Sequence, residues 1–116
     1  PKAISRDIGE DYEPLHLQGG YDHNFEVFCN PCAILHDPAS GRTMRVSTDC
    51  CGVQFYAGNM LSRYNAAEKR YYKARQGLCL ETQIHPDAVN KPNFPNPFIP
   101  AGGHYYSRTS YTFTVR

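Results

Sequence analysis

Arg42-Thr43-Met44-Arg45-Val46-Ser47-Thr48-Asp49 is the stretch that decides the fold class. Met44 and Val46 face one side if the backbone is extended, and Arg45 and Ser47 face the other. A period of two is the signature of a strand with one face buried. Asp37-Pro38-Ala39-Ser40-Gly41 lies just upstream. Pro presets one backbone angle of a turn and Gly supplies positive φ without steric cost. Before that turn stands Ala33-Ile34-Leu35-His36, a second short β-type run, so the three pieces read as strand, turn, strand.

The same texture extends outward. Phe25-Glu26-Val27-Phe28 leads into the turn dipeptide Asn30-Pro31. On the other side, Gly52 to Tyr56 reads as a strand and Leu78 to Thr82 as a buried strand. Ile84 to Pro100 is a Pro- and Asn-rich loop. Tyr105 to Val115 closes the chain, with Tyr111, Phe113 and Val115 alternating against Thr112 and Thr114. Residues 1–20 read as loop with one helical turn. Asn59 to Arg75 has the only helical texture, around Ala66-Ala67-Glu68-Lys69, but no sustained apolar stripe, so it is expected to be loop with at most a short helix. Short strands with almost no helix predict an all-β fold.

Composition narrows the function classes. The 12 Lys and Arg nearly balance 11 Asp and Glu, a formal charge of +1. Nucleic-acid and anionic-membrane binding need clustered excess cation, so neither partner is expected. The run Lys69-Arg70-Tyr71-Tyr72-Lys73 reads as a solvated face. No apolar run approaches a membrane span. The start, Pro1-Lys2-Ala3-Ile4-Ser5-Arg6, has no signal-peptide core and no initiator Met, as expected of a chain that begins inside a longer protein. Five Cys do not complete a disulfide framework, which predicts a reducing compartment, the cytoplasm.

Three patches carry candidate chemistry. In Gly20-Tyr21-Asp22-His23-Asn24-Phe25, polar side chains follow a Gly pair just before a strand. Asp22 and Asn24 either bond the local backbone in a turn or face a ligand. In Gly52-Val53-Gln54-Phe55-Tyr56, Gln54 points away from Val53 and Phe55. On a solvated face it is unremarkable; on a concave one its amide offers a donor and an acceptor to a sugar hydroxyl. In Gly77-Leu78-Cys79-Leu80-Glu81-Thr82-Gln83, Glu81 ends an apolar run. Partial desolvation suits such a carboxylate to take a proton near neutral pH, and the alternative is an ion pair with an Arg. Cys29-Asn30-Pro31-Cys32 has CxxC spacing and Cys50-Cys51 is a vicinal pair. Four thiolates hold Zn²⁺ tetrahedrally when they converge. Adjacent strand residues point to opposite faces and there is no second CxxC, so no metal site is expected there.

These patches, in this order, with Asp37 to Arg42 and Pro86-Asp87-Ala88-Val89-Asn90, are similar to the C-terminal portion of aldose 1-epimerases. The resemblance runs from about Tyr21 to the last residue. It implies a large antiparallel β-sandwich, a supersandwich with the sugar on one concave sheet, and interconversion of the α and β anomers of free aldohexoses such as galactose and glucose. It implies Glu81 as general base, in the Leu-Glu-Thr-Gln motif, with Asp22 and Gln54 binding the sugar. No cofactor or metal is implied. The family's general-acid His, and an Arg and second His that hold the sugar, lie upstream of this chain. None of His16, His23, His36, His85 or His104 stands in the acid's motif, and His23, next to Asp22, reads as structural.

The chain is therefore expected to be the C-terminal segment, residues 1–116, of a single sandwich domain whose N-terminal part lies elsewhere. Alone, it is expected to be inactive and aggregation-prone, with strand edges and an apolar face uncovered. Departures from the family flank the motifs. Cys50-Cys51 stand where Gln-Pro is common, Lys73 to Gln76 replaces a Lys-His-Ser stretch, and His85 occupies an apolar or aromatic position. Two other functions fit the same fold. One is a sugar-binding protein without turnover. The other is an epimerase of phosphorylated hexoses, for which Arg75 is the obvious phosphate ligand.

Overall fold

A computed structural model describes residues 2–115. Eight strands are present among the described residues, β1 Asp22–Glu26, β2 Ala33–His36, β3 Arg42–Thr48, β4 Gly52–Tyr56, β5 Arg63–Asn65, β6 Arg70–Tyr72, β7 Cys79–Gln83 and β8 Thr109–Val115. One short α-helix, α1, covers Glu13–Gln18, and 3-10 turns cover Ile4–Arg6 and Ala88–Asn90. The all-β expectation holds. The strands form sheets in the orders β1-β4-β7, β2-β3-β8 and β5-β6. The chain divides into two compact units, residues 1–23 with 54–81 and residues 24–53 with 82–116. Strands β1, β4 and β7 each contribute residues to both.

The second unit contains the whole β2-β3-β8 sheet. Both pairings are antiparallel, with Ala33 and Tyr111 opposite Val46, and Leu35 and Phe113 opposite Met44. Directly opposed residues share a face, so these side chains form one apolar surface. Val46, in the middle strand, is fully buried, which stabilises the fold by about 1.5–3 kcal/mol. Toward the edge strand β8 the surface opens. Phe113 and Val115 are each 72% exposed.

The β2–β3 turn shows why Asp37 to Gly41 reads as a turn. The Gly41 N–H donates to the Asp37 carbonyl at 2.9 Å, and Gly41 sits at φ 70°. The Asp37 carboxylate accepts from the Ser40 hydroxyl at 2.5 Å and from the Ala39 N–H at 3.1 Å. Those two donors, the hydroxyl first, hold the Asp37 carboxyl below its ordinary range.

The first unit holds the helical turn expected within residues 1–20 and corrects one expectation. Residues 13–18 form a true helix, with Pro in its first turn and Gly19 in the left-handed conformation at its end. Residues 63–72, expected to be loop with at most a short helix, form an antiparallel hairpin that pairs Tyr64 with Tyr71. Asn65 Oδ1 accepts the Ala67 N–H at 3.0 Å and turns the chain there. Ala66 to Lys69 become the hairpin turn despite their helical propensity. Strand β1 also begins earlier than its apolar texture implied, at Asp22 rather than Phe25.

Candidate active site

Asp22, Gln54 and Glu81 all belong to the first unit. They lie on β1, β4 and β7, the three members of one sheet. Gln54 Nε2 donates to Asp22 Oδ1 at 2.8 Å. The pairing requires both side chains on one sheet face, as the alternation of Val53, Gln54 and Phe55 implied. Phe55, on the opposite face, packs against Tyr21 with ring centroids 5.2 Å apart.

Local contacts fix where these strands begin and end. Gly20 follows the helix-closing Gly19, and its N–H donates to Leu15 O at 2.8 Å. A Cβ on Gly20 would lie 2.5 Å from Asn59 Oδ1, so only glycine fits. Asn59 Nδ2 donates to the Gln18 and Tyr21 carbonyls at 3.1 and 3.0 Å. The Ala57 N–H reaches the Tyr21 carbonyl at 2.9 Å. Arg75 Nη2 donates to Gly19 O at 2.7 Å. Asn59 and Arg75 thereby anchor the approach to Asp22. Arg75, read from sequence as a phosphate ligand, here holds a backbone carbonyl.

Glu81 is exposed, and so is Cys79 on the same strand face two residues earlier. The sequence reading placed Glu81 at the mouth of a buried strand. In this span β7 is half-exposed, and nothing withdraws that carboxylate from water. Burial of its sulfur pushes the Cys79 thiol up, helped by the charge of Glu81, a hydrogen bond to Glu81 and the charge of Asp22. One thiol therefore senses both carboxylates. Nothing in the sequence alone marked Cys79 as part of this cluster, although its period-two relation to Glu81 was visible.

His23 takes a local role. Its Nδ1 accepts the Asp22 N–H at 3.0 Å, and its Nε2 is buried with no hydrogen-bond partner among the described residues. A pocket of about 440 Å³ also lies in the first unit, lined by Ile4, Ile8, Ala57, Arg75, Gly77 and Leu78 among others. None of Asp22, Gln54 and Glu81 lines it, and we assign it no part in the site. Among the described residues no three His, Cys, Asp or Glu side chains come together as a metal site.

In the second unit, the same three strands carry a different polar set. Asn24 Nδ2 donates to His85 Nδ1 at 2.9 Å, and Gln83 Nε2 donates to Asn24 Oδ1 at 3.0 Å. Asn24 is on β1 and Gln83 on β7, with β4 between them in the sheet order. Gly52 of β4 leaves the space they cross. A Cβ there would lie 2.5 Å from Asn24 Oδ1 and 3.0 Å from His85 Nδ1. His85 is buried and packs on Phe94 at 4.9 Å, filling the place of the aromatic residue expected at this position.

Comparison with known proteins agrees with the motifs. The profile of the aldose 1-epimerase family matches residues 1–112. Human galactose mutarotase is 40% identical over 94% of this chain and 33% of its own length. Aldose 1-epimerase of Haemophilus influenzae is 34% identical over 95% of this chain and 34% of its own. The crystal structure of an aldose epimerase homologue from C. elegans superposes with a TM-score of 0.71 at 25% identity, covering 81% of this chain and 30% of that one. The chain thus spans about a third of the length of these relatives. From the ordered motifs, the sheet that carries them and a family match across nearly its whole length, the chain belongs to the aldose 1-epimerase family.

Proposed function

We propose that the full-length protein is an aldose 1-epimerase, and that it interconverts the α and β anomers of free hexoses such as galactose and glucose. The observation that carries this reading is the pairing of Asp22 with Gln54 at 2.8 Å on the sheet that also bears an exposed Glu81. Family membership supports it.

In the proposed reaction, Glu81 takes the proton from the C1 hydroxyl while an acid delivers one to the ring oxygen. The C1–O5 bond breaks and the open aldehyde forms. Rotation about C1–C2 presents the other carbonyl face, and closure reverses the two proton transfers. Asp22 accepts hydrogen bonds from sugar hydroxyls. Gln54 orients Asp22 through its amide and offers the sugar a polar contact. The acid is a His supplied by a part of the protein outside this chain. The five free thiols support a reducing, cytoplasmic setting.

Polarimetry on freshly dissolved α-galactose and α-glucose tests the reading. The full-length protein is expected to speed the approach to the equilibrium rotation for both sugars. A protein that binds galactose without changing that rate is a lectin-like binder and contradicts the proposal.

A further inference from the structure

Cys29 and Cys32 lie outside the site and take no part in the reaction above. Both belong to the second unit, in the bend between β1 and β2. The two thiols differ in setting. Cys29 is exposed, whereas Cys32 is partly buried, with its Sγ–H donating to the Val46 carbonyl at 3.3 Å. The Cys32 N–H donates to the same oxygen at 2.8 Å. Between them, Asn30 pins the bend to β3. Its Nδ2 donates to Thr48 O at 2.9 Å and its Oδ1 accepts the Thr48 N–H at 2.9 Å. The bend is thus tied to β3 at Val46 and Thr48, and two residues separate its thiols in sequence.

We propose that Cys29 and Cys32 form a thiol–disulfide exchange site for a small disulfide of the oxidised-glutathione class. The exposed Cys29, as thiolate, attacks one sulfur of the disulfide. The S–S bond breaks, one glutathione thiol leaves, and a mixed disulfide remains on Cys29. Cys32 then loses its proton and attacks the Cys29 sulfur, and the second glutathione leaves. Two protein thiols are oxidised and one glutathione disulfide is reduced to two thiols, so electrons and protons balance.

The asymmetry sets the order of events. Burial holds the Cys32 thiol above its ordinary value, and Cys29 and Cys50 add a smaller push in the same direction. Cys29 is the exposed thiol and Cys32 the one tied to the Val46 carbonyl, so Cys29 meets the disulfide first and Cys32 resolves. Ring closure draws the Cys32 sulfur away from the Val46 carbonyl, and Val46 is the fully buried residue of the β2-β3-β8 sheet.

The test is peptide mapping of the full-length protein equilibrated with oxidised and reduced glutathione, then alkylated and cut with trypsin. Cleavage after Arg6 and Arg42 leaves Cys29 and Cys32 on one peptide, while cleavage after Arg45 and Arg63 puts Cys50 and Cys51 on another. The expected product is the first peptide lighter by two hydrogens and closed to alkylation. Cys32→Ser is expected to trap glutathione on Cys29, and Cys29→Ser to leave Cys32 unmodified. In the reduced protein, maleimide is expected to label Cys29 roughly tenfold faster than Cys32. Failure of the internal bond at every glutathione ratio, a cross-link to the Cys50 peptide, or no adduct on Cys29 in Cys32→Ser overturns the proposal.

Discussion

Strands β1, β4 and β7 each carry one residue of two contrasting sets, Asp22, Gln54 and Glu81 in the first unit and Asn24, Gly52 and Gln83 in the second. In the second set both polar ends of the Asn24 amide are engaged, one by His85 and one by Gln83, and His85 is buried. In the first set the Glu81 carboxylate stands exposed, and the charges of Glu81 and Asp22 push the Cys79 thiol up after the burial of its sulfur. Positions two apart on the same strands thus carry a network closed on a buried histidine in one unit and an exposed carboxylate in the other. The first set carries two carboxylates and an amide, the second two amides and a glycine.

The largest stability effect is expected at Gly52. Gly52→Ala forces the Asn24 amide and His85 apart, and is expected to cost about 1–3 kcal/mol through overpacking and lost hydrogen bonds. Urea unfolding of the full-length protein measures it. Asn24→Ala is expected to cost a similar amount, and the double variant less than the sum of the two, because both break one network. Full additivity would mean that Gly52 and Asn24 act separately, and would break the comparison on its structural side.

A smaller effect, on binding alone, is expected at Gln54. Gln54→Ala removes the donor to Asp22 and is expected to raise KM roughly fivefold, the worth of about one hydrogen bond. The melting temperature should change little. A loss of stability with unchanged KM would place Gln54 with the structural set.

The smallest effect is expected at Asp37, a solvated residue of the β2–β3 turn that belongs to neither set. Its folded carboxyl is held below the ordinary value, chiefly by Ser40. The stability it contributes is therefore present above the unfolded carboxyl value of about 3.9 and is lost as pH falls through the lower folded value. Asp37→Asn is expected to lower the urea midpoint slightly at neutral pH. The difference from wild type should vanish in strong acid.

Much of the fold was legible because turn chemistry and period-two alternation coincide. β2 and β4 match their sequence limits, and β3 ends one residue early. The misreadings have one cause. Apolar texture marks burial, and where strands are polar or exposed it misleads. It drew β1 toward Phe25, although the strand runs through Asp22, His23 and Asn24. It hid the β5–β6 hairpin, where Tyr64 and Tyr71 are both exposed and the turn is set by Asn65 rather than by propensity. The site motifs were readable through family resemblance. The Asn24–His85 contact spans 61 positions, and no local pattern announces it. Nor does any local pattern reveal that Arg75 is committed to a backbone carbonyl.

The central claim is that Glu81 is the base. Its most direct test is the polarimetric rate of the full-length Glu81→Gln variant on α-galactose, with a melting curve taken on the same preparation. The expected result is a fall in kcat on the order of 10²–10⁴-fold, the usual worth of a positioned acid–base group, with the melting temperature preserved. Undiminished mutarotation by a folded Glu81→Gln protein would contradict the assignment.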